Sequence, residues 1–576
     1  MPTAIKDYFG SRDVNQYKQI ALQPSDKTPM LKQLQAKVWS NKEAALLSAG
    51  ILLLLYIISF AYWYPVYESN DDMSFQLFAT GFYTGQPEPF LRFTNILFGY
   101  LLVGLYGISE KLNWYTLCIL TAQFVSFWSI LYFSIKGRKG VLPFLFVTTL
   151  FVMPAWYVVL SINFTTTAAL ASLAAFIVLS CAASRKAYAW ALLIYSIGII
   201  IRWESVVMTH LILGPLFLVR FGFRKSFQQF WPVATVAVVF IFLNMLSVSD
   251  QWQEVAKLGE GKALVDFPVS RELANLSEEQ LKKAGWSRND VDMFRNFFFE
   301  DTSIMTTEHI QKLRSQLTPP GLNPLGQWRQ LLRNTIHWFG LLPPLAYLLL
   351  AVGFVLCLRM QWKESLLLGI LFVAVTVLFA WTYLPRIRGM VTIELTVLAS
   401  MLWIISQTAY PSKKPWLLVM GIIAGTGLFI SETQKHLPNA KALRQMAESR
   451  FNYVKENPEY NYVVFTTAMR FEGLNPLKQY WTTANHDMRF IWAANLGGTP
   501  YQAAALKRLQ TPDVFTLLSD SSKGRLLSRY EFEPEMLRKY FEERKNESYT
   551  FKAIKPQDEF YVWKFEKETI EMPTEN

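Results

Sequence analysis

The chain has 576 residues, 52% hydrophobic and 15% aromatic but only 17% charged, and its mean hydropathy is +0.19. Water-soluble globular chains carry about 25% charged residues, so these figures exclude a disordered, collagenous or coiled-coil chain and point to one that is part membrane, part water-soluble. The net charge of +12 fits Lys and Arg retained in cytoplasmic loops better than a nucleic-acid surface. Cys118, Cys181 and Cys357 each sit in an apolar run, which argues against a disulfide framework or a zinc site.

About forty largely polar residues precede the first apolar run, too many for the n-region of a cleavable signal, so that run is expected to act as an uncleaved anchor. Apolar runs close to the ~20 residues needed to cross a bilayer occur at 44–64, 113–135, 140–160, 164–182, 187–201, 205–221, 227–247, 336–358, 364–383, 389–408 and 413–430. Run 91–108 is ambiguous, and its sidedness consequences decide it. If it lies along the surface, Lys136/Arg138/Lys139, Arg185/Lys186, Arg220/Arg224/Lys225, Arg359/Lys363 and Lys413/Lys414 all fall on the N-terminal, cytoplasmic side. The reading is therefore eleven spans in a multi-pass plasma (inner) membrane protein, N-terminus cytoplasmic and C-terminus periplasmic or extracellular.

The expected fold is mainly α: a polytopic helix bundle with interfacial helices and a smaller soluble α/β C-terminal domain. Its parts are a cytoplasmic segment 1–43, a transmembrane domain 44–431 with outer loops 65–112 and 248–335, and an extracytoplasmic domain 432–576. In the first outer loop, Met73, Leu77, Phe78 and Phe82 form an apolar stripe at helical spacing, as expected of a helix lying on the membrane. In the second, Ser277 with Gln280 forms a capping-box pattern that Gly285 would end, Ser287 would cap a helix to about Phe299, and Thr307 would open a third that Pro319-Pro320 stops. In the C-terminal domain, 460–467 and 559–566 read as strands, 499–510 and 533–545 as helices.

Charge at the outer ends of spans is sparse, and a charge at membrane depth is costly unless it is paired or solvated. Asp71 and Asp72 follow the first span directly. Adjacent carboxylates raise at least one pKa, and a partly desolvated Asp could act as a base on a hydroxyl; equally, the pair could only keep the end of the span in water. Arg202 and Glu204 lie between the fifth and sixth spans, where they could bind substrate or pair with each other. Arg386 and Arg388 stand in the outer turn before the tenth span, against the sidedness bias. Arginine offers phosphate a planar fork of donors and a permanent charge, on a lipid headgroup or on a substrate. No P-loop, GxGxxG, GxSxG, HxxxH or CxxC pattern is present.

A first span, an acidic pair at its outer end (Asn70-Asp71-Asp72), two juxtamembrane helices, a multi-span bundle and an outward C-terminal domain together resemble the GT-C superfamily of membrane glycosyltransferases. The stretch from Asn70 to Pro87 resembles the corresponding loop of bacterial members. The resemblance implies inverting transfer of a sugar from a polyprenyl-phosphate carrier to a cell-envelope glycan or lipid acceptor on the outer face of the membrane. It implies catalytic roles for Asp71, as base, and for Asp72, which stands where many relatives have Glu. Arg202, Glu204, Arg386 and Arg388 would be the substrate and phosphate contacts. Some members of the superfamily need a divalent metal, and Asp71 and Asp72 are the residues that could hold one. An enzyme like the O-antigen polymerases or ligases, or a transporter or flippase of lipid-linked sugars, would use the same kind of substrate. The expected partners are the lipid-linked donor, the acceptor and membrane lipids, with no nucleic acid.

Overall fold

The computed structural model describes residues 39–136, 141–182, 184–266, 268–317, 324–341, 361–382, 386–406, 415–465, 468–493, 496–557 and 560–568, with isolated positions between 347 and 357. Helix α1 (Asn41–Tyr62) opens on a capping box in which Ser40 and Glu43 satisfy each other's backbone N–H groups. The chain then passes through β1 (Val66–Tyr67), α2 (Asn70–Ala79), α3 (Ile96–Ile108), α4 (Trp114–Ile135), α5 (Val141–Leu160), β2 (Ser161–Ile162) and α6 (Phe164–Cys181). β1 and β2 pair in parallel, fixing the exit of α1 to the exit of α5.

Helical residues run from Arg185 to Ser247 (α7), but this is no single rod. Tyr195 and His210 are hydrogen-bonded at 3.2 Å, whereas 15 residues of straight helix would separate them by about 22 Å. The chain doubles back at Arg202, whose φ and ψ (−163°, 102°) are non-helical. It doubles back again at Gly222 (φ 73°), so that Ser226 Oγ donates to the Phe217 carbonyl at 2.9 Å. The two reversals fall at the gaps between the runs expected at 187–201, 205–221 and 227–247.

Beyond α8 (Asp250–Lys262) come three short helices: α9 (Glu278–Ala284), α10 (Arg288–Arg295) and α11 (Thr307–Gln316). The Ser277–Gln280 and Ser287–Asp290 capping boxes form, Gly285 ends α9 in the left-handed region at φ 80°, and Thr306 caps α11. α10 stops four residues before the expected Phe299, and Pro319-Pro320 lie outside the described residues. Then follow α12 (Pro324–Phe339), α13 (Trp362–Thr382), α14 (Ile387–Ser406) and α15 (Pro415–Glu456). Most of the run expected at 336–358 lies outside the described residues. Among those described, α1, α4, α6, α7 and α13 are long and apolar enough to cross a membrane. Helix α3, at 13 residues, is about 20 Å long, short of the ~30 Å hydrocarbon thickness.

The C-terminal part is a five-stranded mixed sheet, ordered β4-β3-β5-β7-β6. β3 (Asn461–Phe465) pairs in parallel with β4 (Phe490–Ala493) and β5 (Gly524–Ser528); β7 (Phe560–Lys567) runs antiparallel to β5 and to β6 (Tyr549–Gln557). Helices α16 (Pro500–Arg508), α17 (Val514–Ser519) and α18 (Phe532–Tyr540) complete it. The expected boundary at 432 falls inside α15, which runs from an apolar segment to the sheet with Pro438 in its interior.

One expectation is corrected here. The stripe Met73, Leu77, Phe78 and Phe82 does not rest on the membrane surface: each residue is at most 3% exposed, covered by protein. Phe78 stacks on Tyr501 at 3.8 Å, and Phe82 packs against Trp481 at 5.2 Å. An apolar stripe shows that a helix has a face to bury, and here the sheet domain buries it. As a result α2, the outer loop and the sheet share one continuous apolar core.

Candidate functional site

Ser69 caps α2, its Oγ accepting the Asp71 N–H at 3.1 Å, which places two carboxylates in a first turn whose dipole favours them. Consecutive helical residues point about 100° apart, so Asp71 and Asp72 diverge. Asp71 lines a cavity of about 490 Å³. Its Oδ2 accepts from Arg388 Nη1 at 3.3 Å and from Ser69 Oγ at 3.2 Å. Asp72 points the other way, fully buried. It accepts from Tyr115 Oη at 2.5 Å and from the Phe164 N–H at 3.3 Å, joining α2 to α4 and to the start of α6. Burial pushes the Asp72 carboxyl up to about 8; the Tyr115 hydrogen bond opposes this and the nearby Asp71 and Glu68 charges add to it.

Glu68 also lines the cavity, on backbone fixed by its N–H to the Ile162 carbonyl at 3.0 Å. Burial raises it to about 7 against the pull of Arg388, whose backbone N–H it accepts. Arg386 and Arg388, at the start of α14, both open onto this cavity. Arg202 is not part of the lining. It donates to Thr165 Oγ1 at 2.6 Å and lies over Phe164 and Phe93 at 5.0 and 5.4 Å, with Glu204 at 3.8 Å and half exposed. The structure thus brings together Asp71, Arg386 and Arg388, sets Arg202 behind Phe93 at the edge of the cavity, and leaves Asp72 and Glu204 outside it.

The opposite wall was not anticipated from the sequence. Arg92 lies against Gly259 of α8, where a Cβ would sit 2.5 Å from its Nη2, so a larger residue there would push the guanidinium aside. Lys262, also on α8, is buried and donates to the Gly497 carbonyl. It faces Glu300, which accepts from Gln502. Burial pushes Lys262 down and Glu300 up, each restrained by the other's charge. Trp492, Thr499 and Tyr501 from the sheet domain close that side. Arg92 carried the same signal as Arg386 and Arg388, an arginine in a short outer segment. Lys262 is one of many charges in a polar loop and carried none.

Among the described residues no group of three or more His, Cys, Asp or Glu is placed to hold a metal ion. Asp71 and Asp72, diverging as they do, offer a divalent cation no shared donor set.

No protein-family model matches this chain, and no curated protein matches it. Two solved structures of ArnT from Cupriavidus metallidurans, one in the apo state and one bound to undecaprenyl phosphate, are 12% identical to it. They cover 91% and 90% of this chain and 98% and 97% of their own, with TM-scores of 0.37 and 0.36. A likeness of that size decides nothing about chemistry here.

Proposed function

We propose that this chain is an integral-membrane glycosyltransferase of the GT-C type. It transfers a sugar from a polyprenyl-phosphate carrier to a hydroxyl of a cell-envelope glycan or lipid at the outer face of the membrane. The observation that carries this reading is one cavity, built from segments flanking apolar helices, in which a carboxylate and two arginines face the same space.

The chemistry follows from those groups. The acceptor oxygen attacks the anomeric carbon, the bond from that carbon to the phosphate oxygen breaks, and its electron pair stays on the lipid phosphate. Arg386 and Arg388 stabilise the charge that develops there, an effect typically worth ~10²–10³-fold. The acceptor proton passes to Asp71, worth ~10²–10⁴-fold. At rest Arg388 is paired with Asp71. An arriving phosphate competes for that guanidinium, so binding the donor releases the base. A single displacement of this kind inverts the anomeric centre. We assign Asp72 to holding α2 against α4 and α6, and Arg202 to the positive field behind Phe93 and Phe164.

The test is transfer by the purified chain from polyprenyl-phosphate sugars extracted from the native membrane. Asp71→Asn should lower the rate at least ~10²-fold with melting temperature unchanged, and Arg388→Gln should do likewise. Full transfer by Asp71→Asn would remove it from the mechanism. Movement of intact lipid-linked sugar across proteoliposomes, without covalent transfer, would instead assign a flippase.

A further inference from the structure

Two oxygen atoms on the Asp71 side of the cavity need donors that the protein does not supply. Glu68 Oε2 and Asn70 Oδ1 are buried and have no hydrogen-bond partner among the described residues, and both residues line the cavity. Buried acceptors are satisfied in more than nine cases in ten once ordered water is counted, so two orphans facing one cavity are completed by water when it is empty and by whatever displaces that water when it is filled. Neither is a loose side chain on a mobile loop. Glu68 is held by the pairing of β1 with β2 and by the Arg388 backbone N–H, and Asn70 is the first residue of α2.

A ligand that displaces water there must bring hydrogen-bond donors of its own. A phosphodiester has none, and its charge is repelled by the Glu68 carboxylate. A polyprenyl tail has none either. A sugar carries several hydroxyls, each able to donate to one oxygen while accepting from another group. Glu68 and Asn70 precede Asp71 in the chain and line the same cavity as Arg386 and Arg388, and Asp71 Oδ2 is bonded to Arg388, so a phosphate bound at the two arginines would bring its attached sugar within reach of both.

We infer that Glu68 and Asn70 form a subsite that reads the hydroxyls of the transferred sugar, separate from the arginines that hold the carrier phosphate. This rests on the transferase reading and adds to it a division of labour: arginines for the lipid phosphate, two neutral or anionic acceptors for the carbohydrate. Binding, not transfer, isolates it. The full chain in detergent is titrated with bare polyprenyl phosphate and with the same lipid carrying glucose, mannose, galactose or arabinose.

The expected result is that wild type binds at least one glycosylated lipid about tenfold more tightly than the bare lipid, the difference that one or two hydrogen bonds supply. Glu68→Gln and Asn70→Ala should each lose most of that preference; Asn70→Ala should hold bare lipid within about twofold of wild type, and Glu68→Gln, which removes a charge that repels phosphate, should hold it at least as tightly as wild type. Equal affinity of wild type for bare and glycosylated lipid across all four sugars, or a preference unchanged in both variants, overturns the subsite and leaves the transferase reading standing. No binding of any of these lipids overturns both. The retained bare-lipid affinity of each variant also shows that it is folded.

Discussion

At the scale of single residues, the acidic pair shows how adjacency in sequence turns into separation in space. Both acids were legible as candidates because they follow an apolar run directly, and charge there needs a reason. Their division was not legible, because it depends on where the helix starts. With Ser69 as the cap, Asp71 faces the cavity and Asp72 faces Tyr115. A carboxyl held near 8 when folded, and at its ordinary value when unfolded, binds its proton more tightly in the folded chain. Its contribution to stability is therefore complete below the ordinary carboxylate range and is lost as pH rises through about 8. The melting temperature of wild type should fall between about pH 4 and 8, and the Asp72→Asn variant should fall less over the same range. That variant should also keep most of its transfer activity. A loss as deep as that of Asp71→Asn would return Asp72 to the chemistry.

At the scale of elements, what the sequence made readable is what local chemistry decides. The capping box at Ser277, the cap at Ser287 and the stop at Gly285 each need only a few neighbouring residues, and all formed; the third helix starts at Thr307 as expected, capped by Thr306. The reversals at Arg202 and Gly222 were visible as polar or glycine breaks between apolar runs. Strands β4 and β5 were not visible: every residue of Phe490–Ala493 and Gly524–Ser528 is buried, which removes the alternation that marks a half-exposed strand. Nor was the seam between the second outer loop and the sheet domain, where residues some two hundred positions apart meet. Gly497 is its tightest point, since a Cβ there would lie 1.9 Å from the Phe299 carbonyl oxygen. Backbone cannot yield as a flexible side chain can. Gly497→Ala should therefore cost about 1–3 kcal/mol, read as a lower melting temperature, and should loosen the Lys262 wall of the cavity. An unchanged melting temperature would show that the seam has slack.

At the scale of the whole molecule, the charge-sidedness argument and the tertiary structure agree on which segments share an end. The segments from Glu68 to Asp71, from Val255 to Lys262, from Arg386 to Arg388 and from Trp492 to Tyr501, all read as outer, line one cavity. At another place Arg220 and Glu364, at the ends of two spans next to loops read as inner, pair at 3.2 Å. The cavity as a whole was beyond the reach of the sequence, because its two walls come from the membrane part and the sheet domain.

Those walls are joined by α15, about 63 Å of helix rather than a tether, with Pro438 in its interior, where a backbone hydrogen bond is lost and a bend is expected. A helix that continues through such a bend still transmits phase as well as distance. One alanine inserted near Ser431 would turn everything beyond it by about 100° and advance it by about 1.5 Å, while seven would nearly restore the angle but lift the sheet by about 10 Å. Both insertions should separate Tyr501 from Phe78 and abolish transfer, whereas a jointed linker would absorb either one. Homologous chains built on this plan would then be expected to change length here only together with compensating changes in the loops that meet the sheet, much as a screw thread can be lengthened only if its nut is recut.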